Sequence, residues 1–260
     1  MIPLFSDEGR RALYALAERP VLYAFDFDGT LAPLARDPST VRLARAVRDG
    51  LTDLARRVAC AVVSGRSLAD LVSRLEGAVP YVIGNHGIES PIAEPARVRE
   101  AERICLAWKD MLASQLAAPF KDLGVEVEDK RYSLTVHFRG SAPSPGIYRA
   151  VEDLLRRFAP APRLIAGKSS INVLPPGMGG KGPAVLALMR HLGQSGLFFV
   201  GDDETDEDVF TIPDGLTMGV CVGKKNDSHA QYYIERQQEI EDVLRCLVDR
   251  LNNVPESAPR

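Results

Sequence analysis

A chain of 260 residues, 45% hydrophobic and 26% charged, is long enough to bury a sizeable core as one large domain or two smaller ones. Its formal net charge of −3 supplies no basic field for a phosphate backbone, which argues against a nucleic-acid role. Cys60, Cys105, Cys221 and Cys246 show no CxxC spacing, and nowhere do about eighteen apolar residues run together; zinc site, disulfide framework, signal peptide and membrane span are therefore not expected, and a reducing cytoplasm is the natural setting.

Taken in order, residues 6–19 read as a helix with Ser6 as N-cap, Leu13, Leu16 and Ala17 on one face and Pro20 as its stop. Val21-Leu-Tyr-Ala-Phe25 is the apolar run of a buried parallel strand, and it stops abruptly in Asp26-Phe-Asp28-Gly29-Thr-Leu31. Ser39 or Thr40 is expected to open a second helix, with Leu43, Val47, Leu51 and Leu54 at helical spacing, before a buried strand over 58–63. That strand ends in Ser64-Gly65-Arg66-Ser67; a further helix follows, and a third strand over 79–83 runs into Gly84-Asn85-His86-Gly87. Apolar strands that end in small polar residues and alternate with helices predict an α/β, Rossmann-like, doubly wound parallel sheet.

The texture changes after Glu89. A helical stretch near 96–118 leads to alternating runs at 125–128 and 134–138, joined by Asp129-Lys130-Arg131-Tyr132, which predict an antiparallel hairpin. A helix near 145–158 and short strands near 163–166 and 170–174 follow. Residues 90–176 thus read as an α+β layer inserted into a core of 1–89 and 177–260, with the Pro175-Pro-Gly-Met-Gly-Gly180 stretch as the hinge back. The alternating pattern then resumes with a helix from about 182, a strand over 197–200, an acidic run, a strand near 216–222, a helix near 238–251 and a frayed tail after Val254.

Open α/β sheets bind ligands at the carboxyl ends of their strands, where Asp26 and Asp28 stand. One carboxylate can attack phosphorus and become an aspartyl phosphate while a second carries the proton of the leaving alcohol, which makes Asp26 the nucleophile and Asp28 the acid/base. The alternative is a turn whose acids merely cap backbone donors. A second acidic run bears on that choice: from Asp202 to Asp208 only Thr205 is not acidic, and the run again follows an apolar strand. Two carboxylates about 4 Å apart repel by roughly 4 kcal/mol at an effective dielectric near 20, so Asp202 and Asp203 converging with the first pair call for a hard cation. Few carboxylates plus a substrate phosphate suit Mg²⁺. Glu204, Glu207 and Asp208 are expected on the solvated face of a short helix. Ser64 and the Gly65 backbone can donate to phosphate oxygens, and Lys181 can supply a fixed positive charge.

Asp26-Phe-Asp-Gly-Thr-Leu31, Ser64-Gly65, Lys181-Gly182 and Gly201-Asp-Asp-Glu-Thr-Asp206 resemble, in order, the four motifs of the haloacid dehalogenase superfamily of phosphotransferases. Gly84-Asn-His-Gly-Ile-Glu89, Glu128-Asp-Lys130, Gly167-Lys168 and the acidic run extend the resemblance to the trehalose-6-phosphate phosphatase family over nearly the whole chain. The resemblance implies that Asp26 takes the phosphoryl group and that Asp28 protonates the sugar oxygen and later activates water. It also implies Mg²⁺ held by Asp26, the backbone carbonyl of Asp28, and Asp202, with Asp203 and Asp206 in support. The inserted layer would be a mobile cap presenting Glu128, Lys130, Arg139 and Lys168 to the sugar.

One departure stands out. Where that family carries Glu-x-Arg-Pro, this chain reads Asn172-Val-Leu174-Pro175. A neutral hydrogen bond in place of a charged one weakens a sugar contact by roughly 1–2 kcal/mol, so Asn172 could still bind a sugar hydroxyl while other sugar phosphates become contenders; the alternative is an ordinary strand-edge residue. The leading expectation is a Mg²⁺-dependent phosphatase of trehalose 6-phosphate. A phosphatase of another glycosyl phosphate, or a phosphomutase, comes second, and a catalytically silent sugar-phosphate sensor third, the last opposed by the presence of both Asp26 and Asp28. Partners other than this small-molecule substrate, nucleic acid and membrane included, are not expected, and a monomer is compatible with the pattern.

Overall fold

The structure, a computed structural model, describes residues 1–252 apart from 36, 117, 119–120, 122, 124, 139–143, 168–169 and 214. Arg139 and Lys168 therefore lie outside the described residues. The first part of the core comprises β1 (Ile2–Pro3), α1 (Asp7–Leu16), β2 (Val21–Phe25), α2 (Arg45–Ala55), β3 (Ala59–Val63), α3 (Leu68–Leu75) and β4 (Tyr81–Ile83). The insert follows with α4 (Pro95–Met111), β5 (Val125–Asp129), β6 (Leu134–Phe138), α5 (Pro145–Leu155), β7 (Arg163–Ala166) and β8 (Ser170–Leu174). The chain returns through α6 (Lys181–His191), β9 (Gly196–Gly201), α7 (Glu207–Phe210), β10 (Thr217–Val222), β11 (Tyr232–Ile234) and α8 (Ile240–Asn252).

Seven parallel strands form one sheet in the order β1-β11-β10-β9-β2-β3-β4. Every residue of β2 is buried, as an uninterrupted apolar run between two covered faces requires. Tyr23, Phe25 and Phe198 on one face pack with Leu51 of α2, Leu71 of α3 and Leu244 of α8; Leu22, Ala24 and Phe199 on the other pack with Val185 and Leu188 of α6 and Val209 of α7. The expected doubly wound α/β class is the one found. β2 is also where the strand order reverses: the chain moves outward through β3 and β4, then returns to pair β9 with the opposite side of β2. A crevice opens at such a switch point, outside the carboxyl ends of the two strands.

The insert carries its own antiparallel sheet, in the order β5-β6-β8-β7, and its own apolar cluster, in which Trp108 and Cys105 of α4 and Val151 and Leu155 of α5 cover Val136, Ile171 and Val173. The expected hairpin is present, with Asp129 paired to Leu134 across its turn.

One expectation was displaced. Ser39 and Thr40 do not open α2, which starts at Arg45; Asp37 instead caps a single tight turn over Pro38–Thr40 through the Ser39 N–H at 2.9 Å. The Arg42 and Arg74 guanidinium groups both donate to the Ser39 and Val41 carbonyl oxygens, which occupies that backbone before a helix can start. Strands β1 and β11 were not anticipated, because two or three residues are too few to show a period.

Helix α6 packs against α7 through Gly182, where an added Cβ would meet the Asp208 carbonyl oxygen at 2.1 Å. Gly182→Ala therefore forces α6 away from α7. The expected outcome is a loss of about 1–3 kcal/mol, read as a lower urea midpoint at unchanged slope; an unshifted midpoint would show that the contact gives way freely.

Candidate active site

Asp26 is the first residue beyond β2, and its N–H donates to the Val200 carbonyl oxygen of β9 at 2.9 Å. Asp202 is the first residue beyond β9. The switch point thus places two strand-end carboxylates side by side, and Asp206 from the next turn joins them. One carboxylate oxygen from each of the three lies within 4.8 Å of the others. All are buried, and so is the Lys181 side chain at the N-terminus of α6, whose ammonium donates to Asp26 at 2.6 Å and to Asp206 at 2.8 Å. The other Asp206 oxygen accepts the N–H groups of Asp202 and Asp203, at 2.8 and 3.0 Å.

Glycines make room for this packing. A Cβ at Gly201 would meet the Asp206 carboxylate at 2.3 Å, and one at Gly29, whose φ is +84°, would meet the Asp202 carboxylate at 2.3 Å. The Gly29 turn thereby forms a cradle for the Asp202 oxygens.

Burial sets the electrostatics. It pushes Asp26 well above the usual carboxylate range, against the pull of Lys181 and with the repulsion of Asp206, Asp202 and Asp203 added. It pushes Asp206 up to about 6, again opposed by Lys181. Burial works against the Lys181 charge, yet Asp206 and Asp26 outweigh it and hold the ammonium well above its ordinary value. Asp203 falls below its usual range although burial opposes this, because Lys181 and the Thr205 donors favour its charged form. Three buried carboxylates converge beside the Lys181 ammonium, and the Lys225 ammonium donates to the Asp202 carbonyl oxygen. That donor set and the Gly29 cradle suit a hard divalent cation.

A cleft of about 450 Å³ opens above this cluster. Asp26, Asp28, Ser64, Gly65, Lys181, Asp202 and Asp203 line it from the core, and Glu128, Lys130 and Asn172 from the insert, whereas Asp206 sits behind the wall. Lys130 spans the two parts: its ammonium donates to the Gly65 carbonyl oxygen at 3.2 Å and lies 3.8 Å from Glu128. Burial lowers its pKa, with Glu128 acting in the opposite sense. Glu128 pairs with His137 at 2.8 Å, and Thr135 donates its hydroxyl to Asn172 Oδ1 at 3.0 Å.

Sequence reasoning passed over Arg66. Its guanidinium grips both oxygens of Asp28, Nε at 2.6 Å and Nη2 at 2.7 Å, and extends to Asp70 at 2.8 Å and the Pro38 carbonyl at 2.9 Å. Its position two residues after Ser64 was the available signal, and spacing alone did not reveal its partner. The acidic run also needs correction. Glu204 is exposed as expected, but Glu207 accepts the His229 N–H at 2.9 Å and Asp208 pairs with Arg163 of the insert at 3.1 Å, so neither simply faces solvent.

The sequence profile of trehalose-phosphatases matches residues 24–235. The chain belongs to the trehalose-phosphatase family. It is a phosphoric monoester hydrolase. It is 27% identical over 262 residues to trehalose 6-phosphate phosphatase RA3 of Zea mays, covering 92% of this chain and 72% of that one. It is 33% identical over 218 residues to the trehalose-phosphate phosphatase of Mycobacterium tuberculosis, covering 79% of this chain. The match spans 54%, about half, of the mycobacterial protein. Among solved structures, the C-terminal domain of the C. albicans trehalose-6-phosphate phosphatase superposes with a TM-score of 0.69 at 20% identity, covering 96% of this chain and 98% of that one. A haloacid dehalogenase-like hydrolase from Bacteroides thetaiotaomicron shares the fold, with a TM-score of 0.58 at 14% identity over 87% of this chain and 99% of that one.

Removing the Lys181 ammonium tests the electrostatics of the cluster. Lys181→Met leaves Asp26 and Asp206 uncompensated, and in chelator at pH 8 it should cost about 3–5 kcal/mol in urea unfolding. The deficit should shrink on acidification. A buried carboxyl with a raised pKa holds in the folded state a proton that the unfolded chain has released, so its stabilisation is present at low pH and lost as pH rises through the folded value. The difference from wild type should therefore widen from about pH 4 through and above 6, the window marked by Asp206. A deficit independent of pH would assign Lys181 a packing role only.

Proposed function

We propose that this family member hydrolyses trehalose 6-phosphate to trehalose and phosphate, with Mg²⁺, through an aspartyl phosphate on Asp26. The observation that carries the reading is the buried Asp26 carboxylate at the base of the cleft, fixed by Lys181 at 2.6 Å and lying beside Asp202. Asp26, the Asp28 carbonyl and Asp202 would hold the cation, with Asp203 and Asp206 supporting them; when bound it supplies positive charge to the phosphoryl oxygens. Asp206 supports by position, since its oxygens are committed to Lys181 and two backbone N–H groups.

In the first step an Asp26 oxygen bonds to phosphorus, the phosphorus–sugar oxygen bond breaks, and Asp28 delivers a proton to the leaving oxygen. In the second, Asp28 takes a proton from water, which attacks phosphorus and frees Asp26 and inorganic phosphate. Ser64, the Gly65 N–H and Lys181 donate to the phosphoryl oxygens throughout. Asp28 exchanges one of its two bonds to Arg66 for the reacting oxygen.

Residues 90–176 act in this reading as a cap on a core of 1–89 and 177–260. The Lys130–Gly65 contact supports it, as does Asn85 of the core, which accepts the Ser133 hydroxyl at 2.6 Å and donates to the Lys130 carbonyl at 3.2 Å. Glu128, Lys130 and Asn172 face the sugar, and Arg139 and Lys168 are assigned there by resemblance. One observation favours a second reading, a phosphatase of another glycosyl phosphate: Asn172 Oδ1 already accepts from Thr135, so the side chain offers a donor where the family glutamate offers an acceptor. No helix among the described residues is long and apolar enough to cross a membrane.

Phosphate release from a panel of sugar phosphates decides the matter. The highest kcat/KM should fall on trehalose 6-phosphate, with turnover lost on chelation, restored by Mg²⁺ and reduced about 10⁴-fold or more in Asp26→Asn. Release from no sugar phosphate would sink the proposal, and a preference for another sugar would select the second reading. Lys130→Ala should raise KM for the preferred sugar phosphate about tenfold while leaving KM for p-nitrophenyl phosphate unchanged; equal changes would remove Lys130 from the sugar site.

A further inference from the structure

His86 has no role in the chemistry above, yet the fold goes to some length to place it. Asn85 and His86 hold successive φ values of 48° and 53°, a left-handed conformation that side chains other than glycine adopt at a cost. The surroundings enforce it: the Asn85 N–H donates to the Arg66 carbonyl at 2.7 Å, the His86 N–H to the Ser64 carbonyl at 3.0 Å, and the Gly180 N–H to the His86 carbonyl. The residue is therefore pinned between the Ser64–Gly65 turn and the turn that delivers Lys181. Its ring lies flush against Gly65, where an added Cβ would meet Cε1 and Nε2 at 2.4 Å. That contact requires a glycine after Ser64.

The imidazole is 4% exposed and lines the cleft; among the described residues the Asn172 side chain is the one group near enough to engage it, so at least one ring nitrogen is left unmet. The Asn172 side chain comes near enough to favour the charged form slightly, but burial, Lys181 and Lys130 dominate and push the pKa down to about 3, so the ring is neutral at working pH. A neutral imidazole carries one donor and one acceptor. Leaving either buried and unmet is costly, and such a group in a ligand cleft is one that a ligand completes.

We infer that His86 is a substrate-contacting residue whose ring hydrogen-bonds a sugar hydroxyl between the Gly65 turn and Asn172. The inference rests on the proposed sugar-phosphate reading. A hydroxyl both donates and accepts, so it satisfies either tautomer of the ring, whereas phosphate oxygens only accept and already have Ser64, Gly65 and Lys181 as donors. His86 thus reads the sugar from the core while Asn172 reads it from the insert.

The test compares two substrates. His86→Gly and His86→Asn both tolerate the left-handed backbone. Wild-type turnover of sugar phosphates is measured first, and its absence removes both this inference and the function beneath it. Given that turnover, each variant should lose about tenfold or more in kcat/KM for the preferred sugar phosphate and stay within about twofold for p-nitrophenyl phosphate. Added imidazole should restore a several-fold part of the loss in His86→Gly, which a purely structural role would not allow. Equal losses on both substrates, or none on either, would overturn the inference; if His86→Gly no longer melts cooperatively, the substrate ratio of His86→Asn decides.

Discussion

The arrangement of this molecule follows from placing one ammonium among buried carboxylates. An ion pair taken out of water gains its attraction only when geometry is close and the remaining lone pairs are satisfied. Lys181 meets that condition with two short contacts, and Asp206 with two backbone N–H groups in addition. Each contact demands a backbone approach that a side chain would block. Gly201 lets Asp206 fold back under β9, Gly29 makes space for Asp202, and Gly182 seats the helix that carries Lys181. The parallel sheet is what brings these segments together, because β2 and β9 are neighbours in space although about 170 residues separate them in sequence. The three carboxylates gather around the ammonium that binds two of them, a donor set that suits a hard cation.

What the sequence disclosed, and what it hid, divides along a physical line. β2 and β9 were legible because strands buried on both faces read as apolar runs, and the acids that end them contrast sharply with those runs. The inserted hairpin was legible from its period of two. The start of α2 was misplaced because Asp37 captures the Ser39 N–H and two arginines, one of them 33 residues further on at position 74, hold the carbonyls of the same stretch. Propensity at Ser39 and Thr40 loses to those contacts. Asp208 was read as a solvated helix residue because its partner, Arg163, belongs to a different sheet. Arg66 and His86 share this opacity: each lies inside a recognisable stretch, but its importance depends on a group brought close only by the fold, Asp28 for the one and the bare backbone of Gly65 for the other.

The insert reaches the cleft by the same logic of register. Glu128, Thr135 and Asn172 lie opposite one another across β5, β6 and β8, while Val127, Val136 and Ile171 occupy the next rung and point to the other face. Val136 and Ile171 belong to the apolar cluster under α4 and α5, so a slip of one residue would bury the polar row and expose the apolar one. The packing of the insert therefore fixes which side chains face the core. At its hairpin end, Asn85 takes hold of Ser133 and the Lys130 backbone, and Lys130 in turn reaches Gly65. The polar row and the Gly65 turn are held in one frame.

That frame gives the Asn172 departure a physical meaning. The nearby His86 ring is kept neutral by burial and by two lysines, and a carboxylate at position 172 would pull it toward the charged form. Asparagine does not. With Asn172 neutral and Glu128 engaged by His137, the formal charge that the described residues of the insert bring against the Gly65 turn is that of Lys130. In the proposed reading, a site built this way would distinguish ligands by hydroxyl position as well as by charge. Neutral pairs contribute less each than charged ones, so such a site depends more on shape and on the precision of its frame. The strained turn at Asn85 and His86, held by backbone hydrogen bonds to Ser64, Arg66 and Gly180, supplies that precision on the core side.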